Sequence, residues 1–195
     1  MNLVETSLPG VLVIEPKVFG DDRGFFMETW QAERYAEAGL PPFVQDNLSF
    51  SARGVLRGLH YQEPVPQGKL VQVLQGEVFD VAVDIRHGSP TFGQWHGVTL
   101  SAANKRQFWV PPGFAHGFVV TGETALFAYK VSAPYRPEFD HSLRWDDPAI
   151  GIAWPIASPT LSGKDQSAPT LADVPEAELP QYTAYPDPPV TTTPS

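Results

Sequence analysis

The segment Glu77-Val-Phe-Asp-Val-Ala-Val-Asp-Ile-Arg86 decides the fold class, because its apolar residues recur at every second position. Such a period is that of a β-strand, whose successive side chains point to opposite faces. The two predicted faces are Phe79, Val81, Val83 and Ile85 on one side, and Asp80, Ala82, Asp84 and Arg86 on the other. The run 69–74, closed by Gly76, precedes this strand, and we interpret it as the partner strand of a hairpin.

Outward from this segment, short apolar or alternating runs are separated by glycine and proline along most of the chain. The further predicted strands are 11–14, 25–30, 43–50, 55–60, 95–100, 107–110, 117–120 and 125–131. Helical composition is convincing in 31–38 alone. About ten short strands in one domain indicate an all-β protein with few short helices, most simply a jelly-roll barrel or sandwich.

The C-terminal part of the chain has a different composition. Seven prolines fall in the last 30 residues, and each removes a backbone donor and fixes φ. We therefore predict a folded domain over residues 1–172 and a proline-rich tail over 173–195, extended or disordered from Pro186 onward.

The composition excludes several classes of function. The 195 residues carry 13 Lys+Arg and 22 Asp+Glu, a net charge of −9, which argues against a nucleic-acid partner. There is no cysteine, which excludes disulfides, thiolate metal sites and cysteine nucleophiles. Residues 1–15 do not resemble a signal peptide, and no apolar run is long enough for a membrane span. We expect a cytoplasmic protein with no membrane partner.

Two of the five histidines, His60 and His116, lie in distinctive glycine-rich surroundings. A metal site in a β-barrel would need two histidines two residues apart on one strand, but position 62 is Gln. We therefore predict no metal, and a structural role is the alternative for a lone histidine. Arg57 interrupts the apolar run 55–59 and Lys69 starts a predicted strand, which together favour an anion-binding lining over solvated surface charges.

A series of motifs then follows in order along the chain: Arg23-Gly-x-Phe-x-Glu28, Gln45-Asp-Asn47, and the blocks 54–62, 67–71, 80–86, 89–93, 111–118, 129–130 and 161–165. Together they closely resemble the dTDP-4-dehydrorhamnose 3,5-epimerase family across roughly residues 1–172. The resemblance implies a cupin-type jelly roll, a homodimer, and an isomerase without metal or organic cofactor. It also implies the reaction, inversion of C3 and C5 in dTDP-4-dehydro-6-deoxy-D-glucose to give dTDP-4-dehydro-L-rhamnose.

The resemblance assigns four catalytic residues. It makes His60 the base that removes the proton next to the C4 ketone, and Asp165 the carboxylate that pairs with it. Lys69 matches the cation beside the keto oxygen, and Tyr129 the acid on the opposite face of the sugar. Inversion needs groups on both faces, because the proton leaves one side and returns to the other. A barrel-packing role is the alternative for Tyr129.

The same resemblance assigns substrate-binding positions, including an aromatic that stacks on the thymine at Tyr135 and arginines suited to a diphosphate. The full set is Arg23, Glu28, Gln45, Asn47, Arg57, His116, Tyr135, Asp140 and Lys164.

One feature of the pattern conflicts with these roles. Regular alternation would put Arg57 and His60 on opposite faces of a strand, although both are expected to contact one ligand. We therefore predict a bulge or similar irregularity at Gly58.

Three other functions stay open at this point. A single-centre epimerase acting on a related deoxysugar would use the same first proton abstraction. A non-catalytic sugar-nucleotide binding module would not need an acid and a base, and a metal-dependent cupin enzyme would need a metal. The short apolar strand 11–14 near one end of the chain also suits pairing with a second copy, or with its own sheet.

Overall fold

The computed structural model describes residues 1–187. Its strands are β1 Asn2–Glu5, β2 Leu12–Glu15, β3 Val18–Asp21, β4 Gly24–Met27, β5 Gln45–Ala52, β6 Leu56–Gln62, β7 Lys69–Asp84, β8 Trp95–Ser101, β9 Gln107–Val110, β10 Phe114–Val131 and β11 Asp140–Ser142. Helices α1 Ala32–Glu37 and α2 Gly163–Gln166 are short, and 3₁₀ turns cover Pro137–Phe139, Leu171–Asp173 and Glu176–Glu178. The predicted all-β class is confirmed. None of the described helices has the length and apolarity needed to cross a membrane.

The long strands β7 and β10 organise the sheet. Neighbouring strands follow the order β1-β2-β9-β7-β10-β6-β11, while β5 also pairs with β10 and β8 with β7. All these pairings are antiparallel. Strands β3 and β4 form a separate two-stranded hairpin. Because β6 and β7 both flank β10, residues far apart in sequence meet along one central strand.

The predicted hairpin between 69–74 and 77–86 is wrong. Both segments belong to β7, which continues through Gly76 and pairs with β10 on either side of it. Gly76 marks a bulge instead of a turn: β10 residues 121–124 loop out of register, and a Cβ at Gly76 would lie 1.8 Å from the Thr124 carbonyl oxygen. Only glycine fits that approach. The predicted strands 117–120 and 125–131 are likewise one strand, β10.

Strand β7 is buried on both faces, as expected for the middle of a sandwich. Val81, Val83 and Ile85 pack in one core cluster with Leu59 and Leu143. The opposite face contributes to a second cluster, whose members include Val78, Ala82, Phe108 and Phe127. Asp80 and Asp84 on this face are fully buried. Each buried carboxylate needs a partner in the fold, because an unpaired buried charge is costly.

The described part of the predicted tail packs on the domain. Val174 and Leu179 are buried in the cluster of β7, and Gln181 forms a bridge to His87. Arg86 donates to the carbonyl oxygen of Tyr185 at 2.9 Å and pairs with Asp187 at 2.9 Å. Packed structure therefore continues through residues 173–187, past the predicted boundary at 172. The rest of the predicted tail lies outside the described residues.

Candidate active site

A cavity of about 560 Å³ opens beside β5, β6 and β10. It is lined by ten of the thirteen site residues predicted from the sequence: Gln45, Asn47, Arg57, His60, Lys69, His116, Tyr129, Tyr135, Asp140 and Asp165. The inner face of β5 is polar, so this wall supplies hydrogen-bonding groups to a ligand.

The bulge predicted between Arg57 and His60 is confirmed. His60 pairs with His116, but Arg57 pairs with Phe118, so three residues of β6 span two of β10. Both side chains consequently line the same cavity. The strands cross closely at two glycines: a Cβ on Gly58, whose φ is +134°, would lie 2.5 Å from the Cα of Gly117. This contact brings the β6 histidine directly opposite the β10 histidine.

His60 and Asp165 form the first of two histidine–aspartate pairs. The His60 Nε2 lies 2.6 Å from Asp165 Oδ1, and α2, whose N-terminus is capped by Ser162, carries the aspartate. Burial would raise the pKa of Asp165, but hydrogen bonds from His60 and from the Gly58 backbone hold it below its ordinary value. An ionised Asp165 accepts the Nε2 proton, which leaves the lone pair of Nδ1 free to take a proton. His60 keeps 32% side-chain exposure, so a ligand can reach it.

His116 and Asp80 form the second pair, and it is more deeply buried. The His116 Nε2 lies 2.8 Å from Asp80 Oδ1, and the side-chain exposures are 8% and 0%. Burial lowers the pKa of His116 and raises that of Asp80. The other carboxylate oxygen, Oδ2, is buried with no hydrogen-bond partner among the described residues.

Lys69 and Tyr129 supply the other predicted catalytic groups of the cavity. The Lys69 ammonium lies 3.5 Å from the His60 carbonyl oxygen, and burial lowers its pKa to about 8. Burial raises the pKa of Tyr129, so its phenol stays protonated at neutral pH. The site thus combines a histidine that can accept a proton, a cation, and a phenol that can donate one.

Polar groups occupy the outer part of the cavity. The Arg57 Nε donates to Ser51 Oγ at 3.1 Å, which orients the guanidinium. Gln45 accepts from the backbone of Tyr135 at 3.0 Å, and the exposed Tyr135 hydroxyl donates to Asp140 Oδ2 at 3.1 Å. Lys164 pairs with the same carboxylate from outside the cavity lining.

Arg23 and Glu28 do not reach this cavity. Arg23 lies on the β3–β4 hairpin and pairs with Asp21, and Glu28 follows that hairpin and pairs with Arg34. Neither lines the cavity within one chain.

Several residues of the site were not predicted from the sequence. Asp80 was placed on the polar face of β7, and that alternation was the signal for its partnership with His116. Ser162 accepts from the backbone N–H of Asp165 at 3.1 Å, and its spacing before that aspartate is a helix-capping pattern. Gln62, Gln67 and Ser49 also line the cavity, without a sequence signal that distinguishes them. Over residues 1–187, no cluster of three or more histidine or carboxylate side chains is arranged to hold a metal.

Comparison with known proteins gives a consistent result. The sequence profile of the dTDP-4-dehydrorhamnose 3,5-epimerase family matches residues 5–173. A relative from Pseudomonas aeruginosa with that name is 55% identical over 176 residues, 89% of this chain and 97% of its own. A dTDP-4-dehydrorhamnose 3-epimerase from Streptomyces niveus is 40% identical over 92% of this chain and 88% of its own.

Among solved structures, a dTDP-6-deoxy-D-glucose-3,5-epimerase from Legionella pneumophila, in complex with dTDP-4-keto-L-rhamnose, superposes with a TM-score of 0.91. It is 55% identical and covers 93% of this chain and 98% of its own. This agreement confirms the cupin-type jelly roll and the isomerase class that the resemblance implied. With its profile, relatives and fold in agreement, the chain belongs to the dTDP-4-dehydrorhamnose 3,5-epimerase family.

Proposed function

We propose that this chain inverts C3 and C5 of dTDP-4-dehydro-6-deoxy-D-glucose and yields dTDP-4-dehydro-L-rhamnose, in the biosynthesis of dTDP-L-rhamnose. The observation that carries the proposal is the His60–Asp165 pair, which faces a cavity also lined by Lys69 and Tyr129. A binding module would need neither a paired histidine base nor a protonated phenol in the same cavity.

In the proposed mechanism, His60 Nδ1 removes the proton on the carbon next to the C4 ketone. Asp165 stabilises the imidazolium that forms, since its carboxylate accepts the Nε2 proton. Negative charge moves to the keto oxygen, where the Lys69 ammonium stabilises the enolate. Tyr129 then donates a proton to the opposite face of the carbon. His60 releases its proton to solvent and Tyr129 takes one up before the same sequence is repeated at the second centre.

The nucleotide part of the substrate is assigned to the outer cavity. Arg57 presents a planar guanidinium, oriented by Ser51, that matches paired diphosphate oxygens. The half-exposed ring of Tyr135 is available to stack on the thymine. Gln45 and Asn47 offer amide groups from the inner face of β5.

The proposal is tested by proton NMR of the reaction in deuterium oxide. We expect deuterium to replace hydrogen at both C3 and C5, because each inversion passes through an enolate. Exchange at C3 or C5 alone would assign a single-centre epimerase instead. Exchange at neither position, with bound substrate, would assign a binding module.

Turnover retained after exhaustive chelation is expected, and its loss would contradict the predicted absence of a metal cofactor.

A homodimer is the second part of the proposal. The outward face of β5 exposes Leu48 and Phe50, and Val44 just before the strand is exposed as well, each to about 60%. The hairpin β3–β4 exposes Phe19, Phe25 and Phe26 as well, to between 54% and 71%. Large apolar side chains exposed in this number favour an interface with another chain. In a dimer, Arg23 and Glu28 of one copy can take their predicted substrate contacts in the cavity of the other.

Sedimentation velocity tests the assembly. We expect the wild type to sediment as a dimer and Leu48→Asp as a monomer, because a charge would be buried in the interface. Phe92→Ser, on an exposed position elsewhere, is the matched control and should stay dimeric. A monomeric wild type would contradict the proposal.

The shared site has its own test. Mixing His60→Gln with Arg23→Ala subunits forms mixed dimers in which one cavity has both native residues. Random pairing makes about half of the dimers mixed, and each mixed dimer has one native cavity out of two. About a quarter of wild-type activity should therefore return at low substrate concentration. Activity no higher than the sum of the separate variants would show that Arg23 acts in its own chain.

The cytoplasmic location stays a prediction, which fractionation of the producing cells tests.

A further inference from the structure

We propose that Asp80 is a positioning residue of the epimerase site, supplying the buried negative charge that keeps Lys69 protonated and the hydrogen bond that orients His116. Asp80 does not line the cavity, so it acts through these two residues and not by touching substrate. The expected effect on turnover rests on the proposed function of Lys69 in the reaction. The effect of the Asp80 charge on the protonation of Lys69 does not rest on it.

Hydrogen bonds and strand pairing connect Asp80 to Lys69 through the two histidines. Asp80 Oδ1 accepts from His116 Nε2 at 2.8 Å, and His116 pairs directly with His60 across β6 and β10. The Lys69 ammonium lies 3.5 Å from the carbonyl oxygen of that same His60. The four residues therefore form one continuous cluster beneath the cavity. With Nε2 fixed on Asp80, the Nδ1 atom of His116 is the ring nitrogen left for a ligand.

Asp80 Oδ2 is buried and has no hydrogen bond among residues 1–187, an arrangement that is costly unless a nearby positive charge offsets it. The hydrogen-bonded His116 and then the Lys69 charge act against burial to lower the pKa of Asp80, and Asp80, after Asp140, raises the pKa of Lys69. An ionised Asp80, a neutral His116 and a protonated Lys69 have no net charge together, which suits a buried cluster.

Other charged groups also act on the Lys69 ammonium. Burial lowers its pKa, the carboxylates raise it, and the neighbouring cation lowers it. The groups that face it are Asp80 on β7, Asp140 on β11, Lys164 and Asp165 on α2, His60 on β6, and His116 and Tyr129 on β10. Asp140 is itself paired with Lys164, whereas Asp80 and Asp165 each contact a histidine, and of these two Asp80 is the one that raises the pKa of Lys69.

The test is the pH profile of Asp80→Asn. Loss of a nearby opposite charge lowers the pKa of a cationic group, by about one unit at the low end of the usual range. The alkaline limb of kcat/KM, which reports the free enzyme, should therefore move from near pH 8 to about pH 7, and kcat/KM at pH 8 should fall about fivefold. Asp147→Asn removes another buried carboxylate, one that does not line the cavity, and is the matched control. Its alkaline limb should stay in place.

A measurement without turnover separates this inference from the proposed function. NMR titration of ¹³C-lysine, with the Lys69 signal assigned from Lys69→Arg, should show a lower pKa for Lys69 in Asp80→Asn. An unchanged Lys69 pKa would overturn the inference, whatever the activity. A lowered Lys69 pKa with an unmoved kcat/KM profile would support the inference and count against Lys69 as the enolate-stabilising group. In ¹⁵N spectra, His116 should carry its proton on Nε2, and a proton on Nδ1 alone would overturn the orienting role.

Discussion

The histidines of the two histidine–aspartate pairs lie on neighbouring strands, β6 and β10, and the pairs differ in burial and in hydrogen bonding. His60 is 32% exposed and its partner Asp165 receives a further hydrogen bond from the Gly58 backbone, so the pKa of that carboxyl is lowered. His116 is 8% exposed, and Asp80 has an unpartnered oxygen and a raised pKa. The same pair of side chains therefore suits proton transfer in one environment and a fixed orientation in the other.

The difference shows what local donors do to a buried carboxylate. A carboxylate that accepts several hydrogen bonds stays ionised and can stabilise a histidine as it gains a proton. A carboxylate with a single donor depends on a more distant charge. Proximity of histidine and aspartate alone does not distinguish a base from an oriented ligand contact.

The largest expected effect is at the exposed pair. His60→Gln should lower kcat by about 10²- to 10⁴-fold, the range for loss of a general base, and stop deuterium exchange at both carbons. His87→Gln, at an exposed ion pair with Glu176, is the matched control and should keep wild-type kcat. Exchange that persists in His60→Gln would assign the base to another residue and remove the distinction between the pairs.

The next effect is at the carboxylate of the same pair. Asp165→Asn should lower kcat about a hundredfold, because the amide cannot stabilise the imidazolium. Stability provides a second readout: a carboxyl with a lowered folded pKa stabilises the fold above its unfolded pKa, near ~3.9, and loses that contribution as pH falls. The melting temperatures of wild type and Asp165→Asn should therefore converge in acid. A constant difference from neutral to acid pH would contradict the ionised pair.

The smallest of the three effects is at the buried pair. His116→Gln should lower kcat/KM about tenfold, the scale of one lost hydrogen bond to substrate, and lower the melting temperature because Asp80 loses its donor. His96→Gln, whose ring contacts Ser7 near the surface, serves as the control. A loss of kcat as large as that of His60→Gln would place His116 in the proton transfer itself.

Much of the fold follows from local patterns in the sequence. Alternation predicted most strands, and Gly58 between Arg57 and His60 predicted the bulge that the register confirms. The hairpin at Gly76 was wrong because a glycine that admits a close carbonyl and a glycine that makes a turn look alike in sequence. The partner with which a strand pairs depends on residues far away in sequence, so a local pattern does not predict it.

Some residues of the site were predicted correctly and others were not, for the same reason. Motifs identified the cavity residues of β5, β6, β7 and β10, since these come from one chain. Arg23 and Glu28 were expected in the same site, but sequence cannot say whether a residue serves its own chain or a second copy. Asp80 was missed because its role depends on His116, which is 36 residues away and meets it only across paired strands.

Arg86 has a practical consequence for recombinant work. Its guanidinium lies between the rings of Phe114 and Tyr182, 4.4 and 5.0 Å from their centroids, and contacts Asp84 and the Tyr185 carbonyl. A chain cut at residue 172 would lose half of these contacts and expose the apolar surface that Val174 and Leu179 cover. Such a product would tend to aggregate, so trimming of the proline-rich end is best confined to residues beyond 187.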